Sequence, residues 1–455
     1  MKFYDTIVAQ ATPYGRSGIG ILRISGLQAK YVAYKILKKI PPARYAYYTP
    51  FLDISGLVID EGIAVWYPKP FSFTGEDILE LQGHGNPVIL DLLIKNILCI
   101  KNVRVANPGE FTQRAFLNGK LDLIQSESII KLIHADSELS IKAALRSLQG
   151  FFSKKINDLI KKIVEMRMLV EANINFPEEN VDINIHRFAK KLKMIFLNTK
   201  EITKTGKLGN KIHEGMKVVI IGPSNSGKSS LYNALLLNNS AIVTDIQGTT
   251  RDVLHDDIYI DGITFQITDT AGFRPTNNII EKIGISKTWE QIELSDHILF
   301  VVDNTLPKHT KREILLQFLN QVSYKKNITI LFNKCDISQK KSKVMRFLKK
   351  YIGIRISAKT GEGINILKMR LKKQSLNSIT CNSETVFLAR RRHLKILELV
   401  IQKILHTQNT WKMDKNIEIL AENLKNIQNM LNEITGLVTS DTILNSIFSN
   451  FCIGK

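Results

Sequence analysis

The chain holds four cysteines in 455 residues, at 99, 335, 381 and 452, and no two of them share a C-x-x-C spacing. That argues against both a zinc site and a disulfide framework. No apolar run approaches the roughly 18 residues of a membrane span. The start, Met1-Lys2-Phe3-Tyr4-Asp5, lacks the apolar stretch of a signal peptide. A soluble, cytoplasmic protein without membrane insertion is therefore expected. Internal repeats are missing, as are R-G-F and G-x-x-G RNA-binding signatures. Acidic residues are scarce beside basic ones, 42 against 63, for a net charge of +21. Such a balance suits an anionic partner such as a nucleic acid. The chain is rich in Lys, Ile and Asn throughout, so part of that charge is compositional.

What is present begins at Gly222. Gly-Pro-Ser-Asn-Ser-Gly-Lys-Ser is a complete G-x-x-x-x-G-K-S phosphate-binding loop. Three further signatures follow it in order: Asp269-Thr270-Ala271-Gly272, Asn333-Lys334-Cys335-Asp336 and Ser357-Ala358-Lys359. Four in register read as a guanine-nucleotide switch. The apolar, β-branched Val218–Ile221 predicts a buried parallel strand. Gly222 and Gly227 then let the backbone wrap closely around phosphates and point its N–H groups at them, with Asn225 and Ser226 among the expected contacts. Lys228 is placed on the β- and γ-phosphates and the Ser229 hydroxyl on Mg²⁺. A helix is expected from Ser230, its positive end under the anion. Asp269 closes a strand over 263–268 and holds the magnesium through water, and Gly272 reads the γ-phosphate. Asn333 and Asp336 follow a strand over 328–332. Asp336 accepts from the guanine N1–H and exocyclic amine, a pair of donors that adenine does not offer. A short strand over 354–356 leads to Ser357-Ala358-Lys359, which presents a backbone N–H to the guanine carbonyl.

Between the first two motifs lies Thr244-Asp245-Ile246-Gln247-Gly248-Thr249-Thr250-Arg251-Asp252, counted through Thr250 among the nucleotide contacts. Thr250 is assigned as the switch ligand of Mg²⁺ and the γ-phosphate. Thr249 is the near miss. Gly272 is followed by Phe273, which cannot orient the attacking water as a glutamine there would. No arginine finger is visible. The side-chain carbonyl of Asn225 is placed to coordinate a monovalent cation such as K⁺, unless Asn225 is an ordinary turn residue.

The stretch from Asp245 to Leu254, with Asp269-Thr270-Ala271-Gly272-Phe273-Arg274 and Glu281-Lys282-Ile283-Gly284-Ile285, resembles the tRNA-modification GTPase family MnmE (TrmE). The ends resemble it as strongly, in Asp5-Thr6-Ile7-Val8-Ala9-Gln10-Ala11-Thr12-Pro13 and Phe451-Cys452-Ile453-Gly454-Lys455. Between them stand Phe73-Thr74-Gly75-Glu76-Asp77, Gly83-His84-Gly85, Pro108-Gly109-Glu110-Phe111-Thr112 and the stretch 116–122. Pro223-Ser224 departs from the family's Arg-Pro.

The resemblance implies a potassium site at Asn225 with groups of Thr244, Ile246 and Thr249. It implies that Glu281 orients the water once two G domains meet; on its own pattern Glu281 reads as a solvated helix charge. A 5-formyltetrahydrofolate site is implied at Arg23, Glu80, Lys120 and Lys455. Cys452, which reads from its apolar surroundings as a buried anchor, is implied to serve modification rather than GTP hydrolysis; with Lys228, Thr250 and Glu281, which serve hydrolysis, it completes the expected catalytic residues. Further implications are a homodimer, tRNA as substrate, and a flavoprotein partner (MnmG, also called GidA) bearing FAD and NADH in a heterotetramer or larger complex. With it the chain would add a (carboxymethyl)aminomethyl group to C5 of the wobble uridine. The rival reading is a ribosome-assembly or RNA-binding GTPase switch without covalent chemistry.

Organisation follows from pattern. The fold class is multidomain α/β plus α. An N-terminal α/β domain (1–120), for which the resemblance implies formyl-tetrahydrofolate binding and dimerisation, and a helical domain in two parts (121–214 and 376–455) surround an inserted Ras-like P-loop G domain (215–375). Ile156, Leu159, Ile160, Ile163 and Val170 recur at helical spacing, as do Ile417, Leu420, Leu424, Ile427, Leu431 and Ile434. Each stripe needs a partner, and the simplest packing sets them against one another. Gly-Lys-Leu-Gly at 206–209 and the stretch 372–383 read as hinges. Cys99, in an apolar run, reads as core.

Overall fold

The computed structural model describes residues 5–175, 185–237, 255–269, 289–322, 326–347, 351–377, 386–437, 447–449, 451 and 454. The chain forms two compact units. One comprises 1–133, 147–202 and 395–455; the other comprises 134–146 and 203–394.

In the first unit, strands β1 (Thr6–Gln10), β2 (Ser17–Ser25), β3 (Tyr47–Leu52), β4 (Val58–Tyr67), β5 (Ile78–Gly85) and β6 (Val103–Val105) form one sheet. Its order is β3-β4-β5-β2-β1-β6, antiparallel except for the β1–β6 pair. Helices α1 (Ala29–Leu37) and α2 (Pro87–Leu98) cover one face, packing on Val8, Leu22, Ile24, Leu79 and Leu81. Side chains alternate along a strand. The neighbours Arg23 and Glu80 therefore point from the opposite face, where α3 (Glu110–Leu117) brings Phe111 against Ile7 and Ala9. The chain continues through α4 (Leu123–Ile133), α5 (Glu138–Leu148), α6 (Phe151–Asn175) and α7 (Ile185–Glu214).

The second unit is built on seven strands: β7 (Met216–Ile221), β8 (His255–Ile260), β9 (Ile263–Asp269), β10 (His297–Asp303), β11 (Asn327–Asn333), β12 (Val344–Phe347) and β13 (Tyr351–Arg355). The order is β12-β13-β11-β10-β7-β9-β8; the five inner strands are parallel and the two edges antiparallel. Alternation splits β7 between two cores, Val218 and Ile220 on one side and Val219 and Ile221 on the other. Its helices include α8 (Lys228–Leu237), α9 (Lys308–Gln321) and α10 (Ile364–Asn377).

The C-terminal helices are α11 (Arg391–Asp414) and α12 (Ile417–Thr435). Helix α12 begins at Asn416, whose side chain accepts from the N–H groups of Glu418 (2.9 Å) and Ile419 (3.2 Å). The two apolar stripes meet as their spacing predicts. Ile156, Leu159, Ile163 and Val170 of α6 are buried, as are Leu420, Leu424, Ile427, Leu431 and Ile434 of α12. The helices lie together, and Arg167 Nη1 donates to Gln428 Oε1 at 2.7 Å. Each fully buried Leu or Ile contributes about 1.5–3 kcal/mol to this seam.

Two expectations are corrected. Residues 206–209 are no hinge, since α7 runs through them unbroken. Their glycines serve close packing instead: a Cβ on Gly209 would stand 2.0 Å from the Phe387 carbonyl oxygen. Residues 372–377 lie within α10, and 378–383 fall outside the described residues. Cys99 is not core but exposed. The buried face of α2 is set by Leu90, Leu93 and Ile97, and two residues further round the helix points outward.

His297 opens β10 fully buried, its Nε2 3.0 Å from Thr329 Oγ1. Burial, aided by the charge of Arg370, lowers its pKa from 6.5 to about 3. The folded unit thus keeps this ring neutral, whereas the unfolded chain takes up a proton below about pH 6.5. Stability attributable to His297 is complete above that pH and is lost as pH falls toward 3, by up to tenfold in the unfolding constant per pH unit. Urea unfolding of the wild type and His297→Leu at pH 7.5 and 5 checks this. The gap between the two stability curves should change with pH, and a constant gap would contradict it.

Candidate functional site

Because the inner strands of the seven-stranded sheet are parallel, the C-terminal ends of β7, β9, β11 and β13 all lie at one edge, where ligands bind in such sheets. The loop after β7 carries Asn225 in the left-handed region (φ 60°) and Gly227 at φ 92°. A Cβ on Gly227 would stand 2.1 Å from Asn333 Nδ2, so both its conformation and its surroundings require glycine. Helix α8 starts at Lys228, two residues ahead of the expected Ser230. Lys228 is buried, its Nζ donating to the Pro223 carbonyl at 3.0 Å. Asn225, Ser229 and Ser230 are exposed.

Asn333 joins three of the motifs. Its Nδ2 donates to the Ser226 carbonyl at 2.9 Å, and its Oδ1 accepts from the Ala358 N–H at 2.9 Å. The Ala358 N–H thereby fixes the Ser357–Lys359 loop to β11. Lys334 Nζ pairs with Asp303 Oδ2 at 2.6 Å. Burial would raise the Asp303 carboxyl, but hydrogen bonds from Lys334 and Thr305 outweigh it and hold the group below its ordinary pKa. The Cys335 thiol is buried, and burial, then the nearby Glu362 and Asp336 carboxylates, push its pKa up. It stays protonated and inert.

Two buried polar atoms, Ser226 Oγ and Asp336 Oδ1, have no hydrogen-bond partner among the described residues. Such atoms are costly unless a ligand satisfies them. A carboxylate oxygen is matched by the paired N–H donors of guanine, so the residues fit a guanine nucleotide. We expect Asn333→Ala to weaken GTP and GDP binding together, by roughly tenfold or more for two lost buried hydrogen bonds. Titration of a fluorescent GDP checks this, and an unchanged Kd would show that the clamp is dispensable.

Asp269 closes β9, its backbone in register with Ile220 of β7. Thr244 to Thr250, Thr270 to Gly272, Glu281, Cys452 and Lys455 lie outside the described residues.

In the first unit, Arg23 and Glu80 are register partners across β2 and β5, with Arg23 Nε donating to Glu80 Oε1 at 2.8 Å. The Arg23 guanidinium lies 5.7 Å from the ring centre of Phe73 and 5.9 Å from that of Phe111. Lys120 Nζ donates to the Pro70 carbonyl at 3.1 Å, and its stem lies against Gly75. Arg23 and Lys120 thus flank the same loop, residues 70–76. Tyr67, beside them, has its hydroxyl pKa raised by burial and by the Glu80 charge.

Sequence reasoning missed what holds that loop. Arg114 is fully buried and forks to Asp5 Oδ1 (2.8 Å), Glu110 Oε1 (2.9 Å) and Glu76 Oε2 (3.2 Å). Glu76 Oε2 accepts from Ser25 Oγ at 2.7 Å, and Ser25 Oγ lies 2.7 Å from Thr74 Oγ1. Glu110 also pairs with Arg104 at 2.6 Å. Burial would raise the carboxyls of Asp5 and Glu110, but the two arginines hold both below their ordinary values. The available signal was Arg114 one helical turn after Glu110; its other partners are distant in sequence.

The C-terminus returns to this region. The Phe448 and Phe451 rings meet at a 39° tilt, centres 5.4 Å apart, and pack with Leu123 and Phe116. Gly454, at φ 95°, lies so close to the chain at Gln10 that a Cβ would stand 2.2 Å from its carbonyl oxygen. Gln10 is paired with Leu22, the neighbour of Arg23.

Residues 6–120 match the family described as the GTP-binding protein TrmE N-terminus, and residues 123–452 match the MnmE helical domain. The chain belongs to the MnmE (TrmE) family. It is 49% identical to the tRNA modification GTPase MnmE of Buchnera aphidicola subsp. Schizaphis graminum over 99% of both chains. Against the protein of the same name from Pectobacterium carotovorum the identity is 48%, over the full length of each. The FeoB G domain of Methanococcus jannaschii matches 35% of this chain and 97% of its own, at 23% identity and a TM-score of 0.26. The MnmE-family match runs through both the nucleotide edge of the second unit and the Arg23–Glu80 face of the first.

Proposed function

We propose that the chain is a potassium-activated GTPase that installs a (carboxymethyl)aminomethyl group at C5 of the wobble uridine of certain tRNAs. It would act as a homodimer in the cytoplasm, with a flavin- and NADH-using partner protein. The observation that carries the nucleotide half is the Asn333 clamp, which ties the phosphate loop to the Ser357–Lys359 loop; three residues on, Asp336 Oδ1 has no partner among the described residues. The proposed division is an α/β domain over 1–120, a helical domain over 121–214 and 376–455, and a G domain over 215–375.

Lys228, Ser229, Asp269 and Thr250 would hold the γ-phosphate and Mg²⁺, the ion neutralising charge that develops on the transferred phosphoryl oxygens. The exposed, left-handed Asn225, with Thr244, Ile246 and Thr249, would hold K⁺ where other switches use an arginine. Glu281 would orient water. In the first unit, Glu80 suits pterin N–H donors and Arg23 and Lys120 suit carboxylates. A folate bound there would supply the one-carbon unit. Gly454 lies against Gln10, whose register partner Leu22 adjoins Arg23, which supports assigning the neighbouring Cys452 and Lys455 to the same site.

Hydrolysis assayed in KCl and NaCl at equal ionic strength tests the cation. The expected result is at least a tenfold higher kcat in KCl, abolished by Asn225→Ala; equal rates would remove potassium from the proposal. Binding of 5-formyltetrahydrofolate, followed by calorimetry, should be lost in Glu80→Ala while GTP hydrolysis persists.

A further inference from the structure

Between Thr6 and Leu52 the chain carries seven Lys or Arg residues, no Asp or Glu, and six of its 12 tyrosines. The whole chain has 63 basic residues against 42 acidic, so general lysine richness does not explain the stretch. On α1 these residues share a face. Tyr31, Tyr34 and Lys35 stand at i, i+3 and i+4, opposite the buried Ala29, Val32, Ala33, Ile36 and Leu37, and Lys38 follows at the end of the helix. Tyr31 and Tyr34 are 46% and 56% exposed. Lys35 Nζ lies 5.4 Å from the centre of the Tyr31 ring, and Lys39 Nζ lies 4.1 Å from that of Tyr47.

Beside this face is a cavity of about 370 Å³, within the range of small-ligand pockets, roughly 300–1,000 Å³. Tyr31, Lys35 and Lys38 form one wall; Asn96, Cys99 and Lys101 form the other. None of the three lysines makes an ion pair among the described residues. The carboxylate of Asp53, also at this cavity, is engaged by Ser55 Oγ at 2.7 Å and the Leu57 N–H at 2.8 Å.

Lysines that meet phosphates, set among exposed aromatic rings on which bases stack, make a surface for unpaired RNA. A second copy of the same face would bring like charge against like. We propose that the α1 face and its cavity bind a loop or single-stranded segment of RNA, with phosphates on Lys35, Lys38 and Lys101 and bases against Tyr31 and Tyr34. This rests on the tRNA reading above and names the surface that serves it. Arg23 and Glu80 point from the opposite face of the sheet, and Lys120 meets the loop 70–76 that Arg23 also flanks, so this surface is separate from the proposed folate site.

The test uses the full chain and a tRNA transcript bearing an unmodified wobble uridine. Binding is measured by fluorescence anisotropy across a salt series, and alkylation of Cys99 is followed by peptide mass spectrometry with and without RNA. The transcript should slow Cys99 alkylation. The triple variant Lys35→Gln, Lys38→Gln, Lys101→Gln should bind at least tenfold more weakly near 0.1 M salt, and its log K against log salt should be shallower by about 2–3. Tyr31→Ala should weaken binding roughly tenfold. GTP hydrolysis and thermal unfolding of both variants should match the wild type. If the wild type binds the transcript but the triple variant binds equally well and Cys99 reacts at the same rate, this surface is overturned and the tRNA reading stands. If the wild type binds no transcript, both fall. If Cys99 is shielded without RNA in proportion to protein concentration, the face is an interface between copies and the proposal is overturned.

Discussion

Asp336→Asn is expected to lower affinity for GTP at least a hundredfold and to create affinity for xanthosine triphosphate. Asp336 Oδ1 is buried and has no hydrogen-bond partner among the described residues, so a bound ligand would satisfy it. Guanine offers N1–H and an exocyclic amine, both donors. Asparagine turns one accepting oxygen into a donor, which then faces the guanine amine with neither group satisfied. A site built to hydrogen-bond a substrate group typically rejects a mismatched one by roughly 10⁴ or more, so a hundredfold loss is a modest expectation. Xanthine replaces the amine with a carbonyl and restores the pairing. Because the substitution keeps the size and leaves the Asn333 clamp untouched, thermal stability of the nucleotide-free chain should hardly change. Titrations of both nucleotides decide the matter, and unaltered GTP affinity would place the base elsewhere.

The second large effect belongs to the first unit. Arg114→Met should destabilise it by about 3–5 kcal/mol, the usual cost of leaving buried charges without their partner. Three carboxylates meet this guanidinium. Removing it forces them to take up protons or draw in water. The pH dependence has a definite sign. Asp5 and Glu110 carry folded pKa values below their ordinary 3.8 and 4.5. Their stabilisation is therefore complete above about pH 4.5 and is lost as the pH falls. The deficit of Arg114→Met should be largest at neutral pH and shrink toward pH 4. Arg114→Lys keeps the charge but lacks the planar fork, and should recover only part of it. Urea unfolding at both pH values measures all three proteins. A deficit that grows with acidity would contradict this account.

The nucleotide site was legible because its chemistry is local: each motif is a short run at the end of a strand, and a parallel sheet brings such ends to one edge. The stripes of α6 and α12 were legible for a similar reason, since period 3.6 survives in the sequence and two apolar faces must be covered. The Arg114 network was not. Its members sit at 5, 76, 110 and 114, and nothing local announces that a sheet with β1 beside β6 will gather them. Gly206 and Gly209 misled because glycine serves both bending and close approach, and only the neighbouring Phe387 shows which applies. Cys99 misled because an apolar run on a helix still has an outward side. Asn333 was legible as part of its motif, but its grip on the Ser226 carbonyl was invisible without coordinates.

The central claim is that nucleotide hydrolysis by this chain drives modification of the wobble uridine. The most direct measurement is mass spectrometry of tRNA nucleosides from a strain lacking the family's activity. The strain would carry this chain with its own flavoprotein partner, the Lys228→Ala variant, the Cys452→Ser variant, or an empty vector. The account predicts that the wild-type chain restores the modified uridine, whereas Lys228→Ala, Cys452→Ser and the empty vector do not. A folded wild-type chain that hydrolyses GTP beside its own partner yet leaves that uridine unmodified would contradict it.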